Sequence, residues 1–158
     1  MTPELNSNLN ELSATQLLVM LGEKQITPDE IITDCLRQIK LRNPEINAWK
    51  FLDEDIIKKQ LEEFASLKPI SALSGIPMAI KDNFDTKDMP TEYGTSIYSG
   101  FQPETDSKAI ELLRKAGVLF LGKTITSEFA GPYPGLTLNT HDLSRTPGIS
   151  SLGSPLSV

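Results

Sequence analysis

The sequence predicts an α/β protein in which N-terminal helices pack on part of a mixed sheet. Three observations lead there. The first third of the chain carries two complete helix-start signals, Ser13-Ala14-Thr15-Gln16 and Thr27-Pro28-Asp29-Glu30. Two apolar runs of strand length, Ile76 to Ile80 and Val118 to Leu121, are separated by a stretch with helical patterning, an order that favours parallel pairing. The texture also changes after Pro69, where helical periodicity gives way to strand and loop.

Taken in order, the serine oxygen of Ser13 can accept orphan amide protons while Gln16 reaches back, and Gly22 is expected to close this first helix. Thr27 caps the second, with proline at its first position and acids facing the positive helix end. Ile31, Ile32, Cys35, Leu36 and Ile39 form its apolar face, and Pro44 is expected to stop it after Arg42-Asn43. Ala48 to Leu52 alternates as a short strand. Asp53 to Leu67 reads as a further helix with Ile56, Ile57, Gln60, Leu61 and Phe64 along its seam. A linker over 70–75 leads to the buried strand Ile76 to Ile80. Asp106 is expected to cap a helix ending at Lys115, with Ile110, Leu113 and Ala116 inward; Gly117 closes it and the strand Val118 to Leu121 follows. From Ala130 onward prolines and glycines break every regular pattern, and a loop of that length is expected to line a site or to have lost what it packed against.

Composition excludes several functions. The chain has 158 residues, enough for one core, and 39% hydrophobic content. Its formal charge of -6 opposes direct nucleic-acid binding, which needs a concentrated basic surface. The single cysteine, Cys35, permits no intramolecular disulfide and no cysteine zinc cluster, and at helical spacing among isoleucines it reads as an inert thiol. No run approaches membrane-spanning length and the N-terminus has no basic start followed by an apolar stretch, so cytoplasm is the expected compartment. No cofactor and no metal are expected.

The chemistry concentrates at two places. Lys81 ends the apolar run Gly75-Ile76-Pro77-Met78-Ala79-Ile80, where loss of hydration favours the neutral amine and makes it a potential base. The adjacent Asp82 works the other way, and a strand-end lysine paired with Asp82 or Asp85 is the competing reading. Downstream, Thr146-Pro147-Gly148-Ile149-Ser150-Ser151-Leu152-Gly153-Ser154 can present a hydroxyl and nearby amides in one small volume, and alone it is a flexible polar loop. Three patterns are set aside. Gly117 to Thr124 fits the written phosphate-loop pattern, but the residues between its glycines are a strand. His141-Asp142 lacks the serine elbow of a hydrolase triad. Asp82, Asp85 and Asp88 lack calcium-loop spacing and are expected to make turns or tune Lys81.

Read together, the lysine and serine segments, Asp82 to Lys87, Ala116 to Thr124, Ser127 to Ala130 and Asn139 to Gly148 resemble the amidase signature family in the right order. The resemblance covers nearly the whole chain. It implies hydrolysis of a carboxylic amide C–N bond by a serine, cis-serine and lysine, with Lys81 as base and Ser150 as the relay whose peptide bond is cis. It implies a small-molecule amide substrate and an incomplete amidase-signature fold: a helical lead-in over 1–68, an α/β segment with the lysine over 69–129, and a serine-containing loop tail over 130–158. Ile149 and Leu152 stand where the family has small residues, and the branched Ile149 crowds the strained peptide. The family's nucleophilic serine would fall beyond Val158, so the chain is expected to be an N-terminal piece, inactive alone, with an exposed sheet edge prone to self-association. Within the family, the second reading is the glutamine-hydrolysing component of the amidotransferase that takes ammonia from glutamine for charged transfer RNA; Pro132-Tyr133-Pro134-Gly135 leans toward a free-standing amidase. The competing class is a noncatalytic remnant or interaction module.

Overall fold

The computed structural model of the protein describes residues 8–66, 73–133 and 135–156. Leu67, the first half of the expected linker over 70–75, and Pro134 lie outside the described residues.

Helix α1 spans Ala14–Gly22 and opens on the predicted capping box: the Ser13 hydroxyl accepts the Gln16 N–H while the Gln16 side chain accepts the Ser13 N–H. Gly22 remains inside this helix. Lys24 makes the left-handed turn beyond it at φ +57, with Gln25 N–H reaching back to the Met20 carbonyl. Helix α2, Pro28–Ile46, has the same reciprocal cap between Thr27 and Glu30. It runs through Pro44, contrary to the sequence expectation. Proline there removes a single N–H, and Asn47 ends the helix in the left-handed region at φ +54. The Asn43 side-chain oxygen then accepts the N–H groups of Ala48 at 2.8 Å and Trp49 at 3.0 Å, turning the chain into the sheet.

Strand β1, Trp49–Leu52, leads into α3, Glu54–Ala65, whose N-cap is Asp53. Strand β2 is Pro77–Lys81, α4 is Lys108–Lys115 and β3 is Leu119–Thr124. The N-cap position of α4 is Ser107, whose side chain makes no capping bond, rather than Asp106, whose carboxylate is engaged by the Lys87 N–H and the Arg114 guanidinium. β3 is longer than the apolar run suggested, extending through Gly122-Lys123-Thr124, which disposes of a phosphate loop there.

The sheet order is β1-β3-β2, with β1 antiparallel and β2 parallel to β3, so the sheet is mixed. All six residues of β3 are buried. Gly122 sits where a side chain would collide with the Phe51 carbonyl oxygen of β1; the ladder with β2 shifts register just before it, and that with β1 shifts opposite Lys123 and Thr124. Gln60 of α3 substitutes for a strand neighbour: its carboxamide donates to the Phe120 carbonyl and accepts the Phe120 N–H, both at 2.9 Å. One core lies between α2, α3 and the sheet around Ile32, Trp49, Ile57, Leu119 and Leu121. A second gathers Ile80, Met89, Ile110, Val118 and Phe120, and a third joins Leu9 and Leu17 to Ile31 and Ile76. Cys35 packs partly buried between two of these, and burial pushes its thiol up to about 11, which keeps it neutral.

Candidate active site

Parallel pairing of β2 with β3 sets the geometry. Lys81 lies in register with Thr124, at the ends of both strands, and Asp82 N–H continues the ladder to the Thr124 carbonyl at 3.0 Å. Beyond β3 the chain passes through Ile125, Thr126 and Ser127. The tail returns beside it instead of wandering as an unattached loop. Gly153 N–H donates to the Ile125 carbonyl at 2.9 Å, and the Ser154 and Thr124 hydroxyls lie 3.0 Å apart. A side chain at 153 would overlap the Ala48 carbonyl oxygen, so only glycine allows this approach. Leu152 is fully buried beneath it.

This return places the Lys81 amine against the Ser150 hydroxyl, the Nζ donating to Oγ at 2.6 Å across 69 residues of sequence. Ser150 is the central residue of a three-residue turn, with Ser151 N–H bonded to the Ile149 carbonyl, and it adopts φ +66. Its peptide is not cis, since none of the described residues has a cis peptide bond. A cis bond before a residue other than proline costs about 3 kcal/mol and needs enclosing structure to hold it. Ile149 is 61% exposed, so its side chain is not enclosed around that peptide.

Desolvation lowers the Lys81 pKa below its ordinary 10.5. The expected influence of the neighbouring aspartates on Lys81 is corrected. Alternation along the chain turns Asp82 into the interior, where its carboxylate pairs with Lys123 at 3.3 Å, side chains 1% and 0% exposed, and accepts the Glu92 N–H. The Lys123 amine also donates to the Phe84 carbonyl at 2.9 Å, the Thr91 hydroxyl at 2.6 Å and the Pro90 carbonyl at 3.2 Å. Burial lowers the Lys123 pKa and raises that of Asp82, each opposed by the other's charge. Asp85 accepts the Tyr93 hydroxyl proton, and Asp88 pairs with Arg114. Burial and this carboxylate push the Tyr93 phenol up to about 12.

His141 and Asp142 form no triad: Asp142 is engaged by the Ser144 hydroxyl and Arg145. Among the described residues no group of three or more His, Cys, Asp or Glu side chains is placed to hold a metal ion. The sequence assigned no role at the site to Thr126 or Lys123, and Ser127 entered only within the segment Ser127 to Ala130 that carries the family resemblance. Ser127 accepts the Ser150 N–H on its hydroxyl, and Thr126 donates to the Ser150 carbonyl. The one available signal was a lysine inside an otherwise apolar strand, which requires a buried partner.

Comparison with known proteins identifies the family. The chain is 38% identical over 161 residues to the A-type chain of glutamyl-tRNA(Gln) amidotransferase from Maridesulfovibrio salexigens, covering 96% of this chain and 33% of that protein. With the protein of the same description from Oenococcus oeni the identity is 37% over 166 residues, with 100% and 33% covered. The peptide amidase of Stenotrophomonas maltophilia superposes with a TM-score of 0.85 at 27% identity, over 96% of this chain and 34% of that one. The chain thus spans about a third of the length of the relatives it matches. A strand-end lysine on a parallel pair, a serine brought to it from the returning tail, and a match of residues 30–158 to the amidase profile lead to one assignment: the chain belongs to the amidase family.

Proposed function

We propose that this chain supplies the base and proton relay of an amide-hydrolysing site, with Lys81 as the base and Ser150 as the relay. The observation that carries this reading is the 2.6 Å contact between the Lys81 amine and the Ser150 hydroxyl. A neutral Lys81 takes the Ser150 proton while Ser150 takes that of an attacking hydroxyl. Reversal of the same two transfers delivers a proton to the departing amine. Attack forms the C–O bond of a tetrahedral intermediate, and its collapse breaks the C–N bond. We propose further that the nucleophilic serine and the oxyanion donors come from polypeptide beyond the third of the relatives' length matched here, which leaves the chain inactive alone. Its substrate would be a small carboxylic amide, acted on in the cytoplasm without a cofactor.

A second reading is favoured by the curated relatives, both named as glutamyl-tRNA(Gln) amidotransferase chains, at 38% and 37% identity. On that reading the amide hydrolysed is that of glutamine. Both readings are tested by mixing the chain with the remaining two-thirds of a relative as a separate polypeptide and measuring ammonia release from a simple carboxamide and from glutamine. Lys81→Ala and Ser150→Ala should each lower kcat/KM by roughly 10²–10⁴, the usual worth of general acid–base catalysis. Turnover that survives Lys81→Ala overturns the mechanism, and the preferred amide separates the two substrates.

A further inference from the structure

We infer that Ser127 is the positioning residue of the relay, holding Ser150 in the backbone conformation that aims its hydroxyl at Lys81. The inference rests on the reading of Ser150 as the relay and names the group that keeps it in place.

Ser150 sits at φ +66, a region that residues with side chains leave unless something holds them there. Of its immediate neighbours, only the Ser151 N–H bond to the Ile149 carbonyl helps to hold it there. Ile149 projects into solvent, and Gly148 at φ +132 has nothing near its α-carbon on the side-chain face. The tethers come from the other strand end. Ser127 N–H donates to the Ser150 carbonyl at 3.0 Å, and Ser150 N–H donates back to the Ser127 hydroxyl at 3.1 Å. Ser127 therefore grips both backbone groups of the residue whose side chain meets Lys81.

The direction of the hydroxyl is itself fixed. Ser127 Oγ donates its proton to the Gly131 carbonyl at 2.7 Å, which leaves its lone pairs for the Ser150 amide. Ser127 is 1% exposed, so water does not compete for these bonds. Thr126 contributes less, because its one hydroxyl proton is shared between the Ser150 carbonyl at 2.9 Å and the Ser127 carbonyl at 3.1 Å. Through Gly131 the same hydroxyl joins the relay to the turn Glu128–Ala130, where Phe129 and Ala130 are also left-handed at φ +47 and +56.

A merely structural tether would change stability and leave the lysine's ionisation alone. The test follows Lys81 by NMR on the full chain with isotope-labelled lysines, in wild type, Ser150→Ala, Ser127→Ala and Ser127→Thr. Ser150→Ala should displace the Lys81 midpoint by about one pH unit, because the ammonium loses its acceptor. Ser127→Ala should reproduce that displacement in sign and in at least half its size, while Ser127→Thr, which keeps the hydroxyl, restores the wild-type midpoint. A Ser127→Ala midpoint equal to wild type, with Ser150→Ala displaced, overturns this inference and spares the relay. A midpoint unmoved by Ser150→Ala overturns the relay itself. Should Ser127→Ala fail to fold, amide exchange in the wild-type chain decides: a protected Ser150 amide supports the inference, and free exchange refutes it.

Discussion

Lys123 is a lysine with no exposed side chain, and Asp82 beside it is almost as deeply enclosed. Two charges in such a place are tolerated because every polar atom is engaged, and removing one partner is far worse than removing both. Lys123→Met should therefore cost about 3–5 kcal/mol, and the Asp82→Asn/Lys123→Met double variant should recover much of that, as read from urea midpoints at constant m. A double variant no more stable than the single one would show that the pair is not the source of the loss. At Lys81 the sign of the pH effect follows from desolvation. On the proposed mechanism Lys81 must be neutral to act as base; its pKa lies below the ordinary 10.5, so activity of the reconstituted enzyme should rise with pH through that lowered value. A kcat/KM profile whose acid limb sits at 10.5 or above would contradict this. Lys81 was legible in the sequence as a charge at the end of an apolar run, whereas Ser150, in what alone reads as a flexible polar loop, was reached only through the family resemblance. The orientation of Asp82 was not. Adjacent residues point to opposite faces of a strand, so the nearest carboxylate in sequence was the one turned away from Lys81.

Helix starts were the most readable elements, because a capping box closes within four residues. Ser13→Ala and Thr27→Ala should each lower stability by about 1 kcal/mol, checked by thermal denaturation. Helix ends were less readable. The rule that proline stops a helix failed at Pro44: the helix continues to Ile46 and ends at the left-handed Asn47, whose N–H bonds the Asn43 carbonyl, while the Asn43 side chain accepts the N–H groups of Ala48 and Trp49. The end of β3 was missed for a related reason. A buried lysine and a glycine at a bulge do not look like strand until their partners on neighbouring elements are in place. At the tail, Gly153→Ala should push residues 150–154 off β1 and β3, since its methyl group would lie 2.8 Å from the Ile125 nitrogen and overlap the Ala48 carbonyl. A loss of about 2 kcal/mol or more is expected, together with a Lys81 midpoint that no longer responds to Ser150→Ala.

Across the whole molecule, three strands make a sheet whose outer members, β1 and β2, each have one side without a strand partner among the described residues. Several large apolar side chains lie on the surface, Leu136 at 83% and Ile97 at 78% exposed, with Phe129 and Tyr133 also well exposed. Tyr98 packs edge-on against Tyr93, Phe101 and Phe129, extending this apolar area next to the site. Unpaired strand edges beside apolar surface favour association between copies. Light scattering after size exclusion should show the average mass rising with concentration, and a constant monomer mass would argue against it.

The sequence by itself determined three of the four α-helix starts, the order of helices and strands, and Lys81 at the site, because capping, periodicity and an apolar run ending in lysine are local signals; Ser150 came only through the family resemblance. Only the tertiary structure decided that the tail folds back, that Ser150 is held in a left-handed turn rather than by a cis peptide, and that Asp82 belongs to Lys123. Each of these depends on groups separated by tens of residues finding hydrogen bonds or burial together, and no local pattern encodes which of them will.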